Sequence, residues 1–580
     1  MDAPNLFGDR DRHVAGTRGL TSDVEHVGAF LDHAESLSDR GLDVRAEAVA
    51  AERIRRDVDD AHHVRAGSPF ETPPSDFGDH DAIILRTVRL ADLARGAGAV
   101  LDGDGDVEIS GIVYDSRRVG PDDLFVAVQG IHVDGHDYVT EAAAQGAAAI
   151  ALERDVKVPA GVPVLRMPST RIGLAELSAE FFGRPSRRLK LAGITGTDGK
   201  TTVTHMSEHI LQASGILAGA MSTVAFKVSG REVDNVSGQT TTEAPEVQAW
   251  LGRMVDAGAQ CVVIETTSHA LVQERVRACE FDVAAFTNVG RDHLDYHATW
   301  EDYLEAKARL IDLTANAADK GVEKTAVLNR DDPSYERLAR RPISRRWTYS
   351  LKTGADFYPL DLSITGSGSR FRMKTPLGET EVTLNVPAKF NIYNALCAAA
   401  VCVAMGVPVE EIGRGLAGFE GVRGRLEPVD LGQDFRVYID FAHAAGSLAS
   451  ALAELRPFTQ GRLIVVFGST ARSDHDRPGM GRAAAEFSDF FIITTDDPLS
   501  EDPVEIARDV QAGASSKAPG LDYEVVIDRR AAIRRAIEIA RPGDTVLLAG
   551  KGHERSMRTS RGSEPWDERA EAEAAIRERG

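Results

Sequence analysis

The sequence predicts an α/β protein of several domains, and three observations carry that prediction. From about residue 86, short apolar strands alternate with Ala-rich helical stretches, the pattern of layered α/β architecture. Each apolar strand ends in polar or glycine residues, and ligands bind at the carboxyl ends of strands in open α/β sheets. Hydrophobic residues make up 43% of the 580, a globular value. At roughly 150 residues per domain the length allows three or four domains, each large enough to bury a core.

Residues 1–85 differ from the rest. They are charged, with runs such as AEAVAAERIRRDVDDA that read as polar helix, and PFETPPSDFGDHD then breaks any helix with prolines. This stretch reads as an appendage and linker, helical in part or disordered. The motif-bearing chain starts after it, so deleting residues 1–85 is expected to leave turnover within a few-fold. A truncated chain starting near Ala82 that fails to fold or loses all activity would show the extension to be integral.

After the extension come DLFVAV and the helical YVTEAAAQGAAAIAL, then LKLAGITG, a buried strand running into a glycine turn, and KTTVTHMSEHILQAS, the helix that follows it. QCVVIETT, VAAFTNV, RLIVVFGS, DFFIITTDDP and DTVLLAGKGHE are further apolar strands with polar tails.

Composition narrows the function classes. With 67 basic and 89 acidic residues the net charge is -22, which repels nucleic-acid phosphates and argues against a general nucleic-acid partner. The four cysteines, Cys261, Cys279, Cys397 and Cys402, form no CxxC pair and sit in apolar surroundings, as expected of buried thiols in a reducing compartment. No apolar run reaches the ~20 residues needed to span a bilayer. The N-terminus lacks a signal-peptide h-region, so a soluble, cytoplasmic protein without membrane insertion is expected.

The strongest local signal is Gly193-Ile194-Thr195-Gly196-Thr197-Asp198-Gly199-Lys200-Thr201-Thr202, joining a strand to a helix. Glycines let backbone N–H groups turn toward phosphate oxygens, and the helix N-terminus adds partial positive charge. Lys200 can neutralise the β- and γ-phosphates, and the Thr201 hydroxyl can ligate Mg²⁺. The usual spacing would put glycine at Ile194, so this is a shortened loop, GTDGKTT. Downstream, Glu265 in IETTSHAL and His293 in TNVGRDHLDYH follow apolar strands, and a carboxylate and an imidazole at neighbouring strand ends can hold Mg²⁺. His269, Asp292, Asp295 and His297 lie in the same strand tails. Lys307, in YLEAKARL, reads by itself as a surface lysine on a helix.

GTDGKTT, IETTSHALVQERV, FTNVGRDHLDYHATWEDYLEAKARL, FNIYNALCAA, GVRGRLE and AGKGHE occur in that order, and together they resemble the Mur ligases. GIVYDSRRVGPDDLFVAVQGIHVDGHDYV is similar to the UDP-binding domain of the members that add the third residue of the peptidoglycan stem. The resemblance covers about residues 86–556. It implies a three-domain architecture after the extension: 86–185 binding the UDP substrate, 186–427 a central P-loop ATPase, and 428–580 a Rossmann-like domain closing over the amino acid. It also implies a monomer. The reaction implied is ATP-dependent amide ligation of an amino acid to UDP-N-acetylmuramoyl-L-alanyl-D-glutamate through an acyl phosphate, with ATP and Mg²⁺ as cofactors.

The resemblance also implies roles. Gly196, Thr197, Asp198, Gly199, Lys200, Thr201 and Thr202 would bind ATP phosphates, Asn391 and Asn394 would lie near the adenine, Arg425 near the phosphates and Asp440 near the ribose. Ser116 and His132 would meet the UDP moiety. Thr240, Thr241, Thr267, Gln273 and Arg275 would hold the muramoyl peptide. Thr201, Glu265, His293 and Lys307 would serve the metal, Lys307 as a carbamylated lysine. Arg472, Asp497, Gly550 and Glu554 would surround the incoming amino acid.

Several positions depart from the family. Ala388 replaces a glycine, Ala444-Ala445-Gly446 replaces Thr-Pro-Asp, GSTARSD replaces a longer glycine-rich segment, and Leu499 stands where diaminopimelate-adding members have arginine. With Asp497 negative and no arginine at 499, L-lysine or L-ornithine is expected over meso-diaminopimelate, Arg477 being the alternative partner for a distal carboxylate. Two other readings stay open: a folylpolyglutamate or cyanophycin synthetase-like ligase, and a catalytically silent paralogue that binds the precursor.

Overall fold

A computed structural model describes residues 86–130, 133–290, 296–471 and 476–579. The extension at 1–85 therefore lies outside the described residues. The rest forms three main α/β layers. The first is a five-stranded sheet in the order Val100–Asp102, Val164–Arg166, Ala149–Leu152, Asp123–Val126, Gly111–Val113, parallel except for its first strand. The expected helix YVTEAAAQGAAAIAL is shorter, Val139–Ala144, because Gly146 at φ +106 turns the chain and the apolar tail becomes the strand Ala149–Leu152.

The second layer is an eight-stranded sheet. Its centre runs Ala218–Met221, Cys261–Glu265, Lys190–Thr195, Val283–Phe286, Thr325–Asn329, all parallel and buried. Parallel strands covered on both faces read as continuous apolar runs, which is why LKLAGITG, QCVVIETT and VAAFTNV could be assigned. A three-stranded antiparallel sheet, residues 358–384, flanks it. The third layer is a six-stranded sheet whose parallel core is Arg436–Asp440, Thr545–Ala549, Leu463–Phe467, Phe490–Ile493, Tyr523–Val525.

Two helices position the central site. Phe390–Ala404 is apolar almost all round and buried, so it packs within the core rather than on the surface. Trp300–Asn316 begins at Thr299, whose hydroxyl accepts from the Asp302 N–H, and lies hard against the strand Lys190–Thr195. Gly193 allows that approach: a Cβ there would stand 2.8 Å from Leu310 and 3.0 Å from Phe281. All four cysteines are buried, and burial pushes the Cys279 thiol up to about 12, as inert core thiols require. Among the described residues no helix is long and apolar enough to cross a membrane.

Candidate functional site

The phosphate loop sits between the strand ending at Thr195 and the helix Lys200–Ala213, at the carboxyl edge of the central sheet. Gly199 takes φ +82, and a Cβ there would meet Asn394 Oδ1 at 2.4 Å, so this position demands glycine twice over. The loop is clamped from the neighbouring strand tail. Asn288 accepts the Thr197 N–H through its backbone oxygen (2.8 Å) and the Asp198 N–H through Oδ1 (2.9 Å). Thr287 Oγ1 donates to the Asp198 carbonyl at 2.6 Å. Lys200 Nζ donates to the Thr197 carbonyl at 2.7 Å, keeping its ammonium folded over the loop.

Glu265 joins this loop to its surroundings. It ends the strand Cys261–Glu265 and is buried. Thr201 Oγ1 lies 3.1 Å from both its carboxylate oxygens, and the Thr223 N–H and hydroxyl donate to Oε2 at 2.9 and 3.0 Å. Arg425 Nη2 donates to Thr201 Oγ1 at 3.3 Å. Among the described residues the side-chain donors recorded at the Glu265 carboxylate are the hydroxyls of Thr201 and Thr223. A buried carboxylate surrounded by hydroxyls is the hard oxygen donor set that Mg²⁺ prefers, so Glu265 and Thr201 fit the expected metal.

Lys307 is not the surface lysine it could have been. It is 1% exposed, its Nζ donates to the Gly196 carbonyl at 2.7 Å and lies 4.3 Å from the Tyr303 ring centre. Asn394 donates to Asn391 Oδ1 at 3.0 Å, and Asn391 donates to the Pro387 carbonyl, so the buried helix presents a fixed amide pair beside Gly199. Asp440 is raised above the usual carboxylate range by burial. Its oxygens accept from the Leu426 and Ala442 N–H groups, so it braces the segment carrying Arg425.

The residues expected to hold the muramoyl peptide form one network. Thr240 Oγ1 lies 3.0 Å from Thr223 Oγ1, Thr241 Oγ1 donates to the Glu265 carbonyl (2.8 Å), and the Thr267 N–H donates to Thr241 Oγ1 (3.2 Å). Arg275 donates to the Thr241 carbonyl and to Gln273 Oε1, each at 2.7 Å, and pairs with Glu243 at 3.0 Å. Beside it a cavity of about 360 Å³ is lined by Gln129, Glu153, Arg171, Gln273 and Tyr296, residues from both the first and second layers. Ser116 is buried at the start of a short 3₁₀ turn in the first layer. His132, His293 and Arg472 lie outside the described residues.

At the third sheet, Asp497, Gly550 and Glu554 come together. Gly550 takes φ +110 beside Asp496, where a Cβ would stand 2.4 Å from Asp496 Oδ2. Lys551, which the sequence reading passed over although it sits inside AGKGHE, is fully buried. Its Nζ lies 2.8 Å from Asp497, 2.6 Å from Glu554 and 3.8 Å from Asp496. Burial pulls its pKa down, but these three carboxylates hold it above its ordinary value. Asp497 also accepts from the Arg558 N–H at 2.9 Å and from its Nε at 3.0 Å. Asp497 is thus paired with both Lys551 and Arg558, rather than standing alone as the lysine or ornithine expectation took it, and Arg558 lies beside Leu499. Arg477 is engaged elsewhere, 2.6 Å from Glu501 and 3.0 Å from Asp509. The sequence reading also missed Asn288 and Thr223, whose only signal was their place in strand tails.

The chain matches the Mur ligase family catalytic domain over residues 108–182, the Mur ligase middle domain over 194–402 and the Mur ligase glutamate ligase domain over 424–552. It is 45% identical over 487 residues to a UDP-N-acetylmuramyl-tripeptide synthetase of Roseiflexus sp. (strain RS-1), covering 82% of this chain and 95% of that one. It is 42% identical over 480 residues to a UDP-N-acetylmuramoyl-L-alanyl-D-glutamate--2,6-diaminopimelate ligase of Geobacillus kaustophilus (strain HTA426), covering 82% and 96%. A solved structure of a ligase of that second kind superposes with a TM-score of 0.60 at 27% identity, over 85% of this chain and 99% of that one.

Proposed function

The chain belongs to the Mur ligase family, and from that premise we propose that it joins a diamino acid to UDP-N-acetylmuramoyl-L-alanyl-D-glutamate. It is an ATP-dependent ligase of peptidoglycan synthesis, and the proposed setting is the cytoplasm. One observation supports the reading most directly. Glu265 touches the phosphate-loop hydroxyl of Thr201 through its side chain and the muramoyl-peptide threonine Thr241 through its carbonyl. Phosphates and acceptor carboxylate would thus meet at one residue.

In the proposed reaction the terminal carboxylate of the muramoyl dipeptide attacks the γ-phosphorus of ATP, releasing ADP and forming an acyl phosphate. The α-amine of the incoming amino acid then attacks the acyl carbon. The tetrahedral intermediate loses phosphate and a proton, leaving the amide. Negative charge builds on the transferring phosphoryl oxygens and then on the oxyanion, and Lys200 and Arg425 are the cations placed to stabilise it. Mg²⁺, held by Glu265 and Thr201 together with Lys307 in its carbamylated form and His293, would neutralise the phosphate oxygens. Arg275, fixed by Glu243 and Gln273, orients the dipeptide, while Asn391 and Asn394 face the nucleotide. The distal ammonium of the diamino acid belongs near Glu554.

Phosphate release measured with UDP-muramoyl-dipeptide, ATP and a panel of amino acids tests this. Release is expected only when dipeptide, ATP and a diamino acid are all present. Release that ignores the dipeptide, or ATP turnover with no amide product, would overturn the reading.

A further inference from the structure

Resting on the ligase reading above, we infer that Arg558 is a specificity-determining residue, the cation that receives a carboxylate at the distal end of the incoming diamino acid. The strand Ser556–Thr559 follows directly on the loop Gly550–Glu554. The Leu499 N–H donates to the Arg558 carbonyl at 3.2 Å, and Leu499 pairs with Thr559. Residues 499 and 558 are therefore neighbours although 59 positions separate them in sequence.

The two cations of this pocket differ in kind. Lys551 is sealed, with no exposed side-chain surface and three carboxylates around its ammonium. It offsets part of their negative charge and has no face left for a ligand. Arg558 is about half exposed (48%). Asp497 grips it by Nε and by its backbone N–H, and the nearer Nη stands 4.0 Å from Glu554. A guanidinium anchored by Nε offers its paired Nη edge, and that fork matches a carboxylate.

The loop that makes the anchor is held in a costly conformation. Asp497 at φ +37 and Leu499 at φ +50 are left-handed non-glycine residues on either side of Pro498. Such strain persists where surrounding contacts over-determine it, and it clusters at ligand clamps. Here it brings the Asp497 carboxylate against Arg558.

The open pocket thus sets a guanidinium beside Glu554. A distal end bearing only an ammonium would meet Arg558 as a like charge. A distal end bearing both an ammonium and a carboxylate matches both, the ammonium to Glu554 and the carboxylate to Arg558. The substrate class that follows is a diamino dicarboxylic acid such as meso-diaminopimelate, with Arg558 in the role that position 499 cannot fill with leucine.

Competition between meso-diaminopimelate and L-lysine in the intact enzyme, with products resolved by mass, tests this. The wild type is expected to incorporate meso-diaminopimelate preferentially. Arg558→Met is expected to raise KM for it by ~10- to 10²-fold, the scale of a lost charged hydrogen-bonded pair, with kcat within a few-fold and L-lysine use unchanged or improved. Adding Leu499→Arg to that variant is expected to recover part of the loss by returning a guanidinium from the neighbouring position. A structural role for the ion pair would instead lower use of both amino acids together and resist that recovery, overturning the inference. Preference of the wild type for L-lysine would also overturn it while leaving the ligase reading intact. Absence of amide product with every amino acid would defeat both.

Discussion

Lys307→Ala is expected to be nearly inactive, and formate or acetate is expected to restore part of its turnover. The amine is buried beside the phosphate loop, 2.7 Å from the Gly196 carbonyl. The ammonium first loses a proton, and the neutral amine then adds CO₂, forming an N–C bond and releasing a second proton, so that a cation becomes an anion. An anion here would add to the oxygen set of Glu265 and Thr201 and leave an N–H for Gly196. Alanine removes that anion, and a small carboxylate diffusing into the vacated space replaces its charge. Loss of the buried side chain also lowers stability, so thermal unfolding should be followed alongside activity. A purely structural lysine would show the stability loss without rescue, and the carbamate reading would then fail. Mass spectrometry or ¹³C NMR under labelled CO₂ gives an independent readout.

Lys200→Ala is expected to lower kcat on the order of 10²-fold or more while leaving the fold intact. On the proposed reading the lysine meets the transferring phosphoryl group, and preorganised charge at a transition state is worth that much. The loop's shape does not depend on it, since Asn288, Thr287 and the left-handed Gly199 set the backbone. Single-turnover phosphate release and circular dichroism together check this. Near-wild-type turnover would remove the ATP site from this loop.

The central fold was legible because its strands are buried on both faces. Runs such as CVVIE and LIVVF, short and rich in β-branched residues, read as buried strands, and their polar tails marked the sheet edge where the candidate site lies. The phosphate loop was legible because glycine and lysine spacing is dictated by local backbone geometry. Lys307 was ambiguous for the opposite reason: one turn of the helix Trp300–Asn316 looks like another until Gly193 shows which face lies against the sheet. Arg558 was invisible, since its partners Asp497 and Leu499 reach it only through the closing of a loop onto a strand. Charge at a pocket is a property of the assembled neighbours. Reading Asp497 by itself leaves out Lys551 and Arg558, which the sequence does not place beside it.

The linker between the second and third layers has a mechanical consequence. Phe441 donates to the Gly424 carbonyl, Leu426 is left-handed at φ +43 and tied to Asp440, and the Gly550 N–H donates to the Asp440 carbonyl. These bonds tie residues 424–426 to the third sheet, and Arg425 within that stretch reaches back to the second layer, its Nη2 3.3 Å from Thr201 Oγ1. A rotation of the third layer would therefore carry that arginine with it, like a key drawn from the loop. On the proposed reading, closure over the amino acid and the grip on ATP would be geared together through that one side chain.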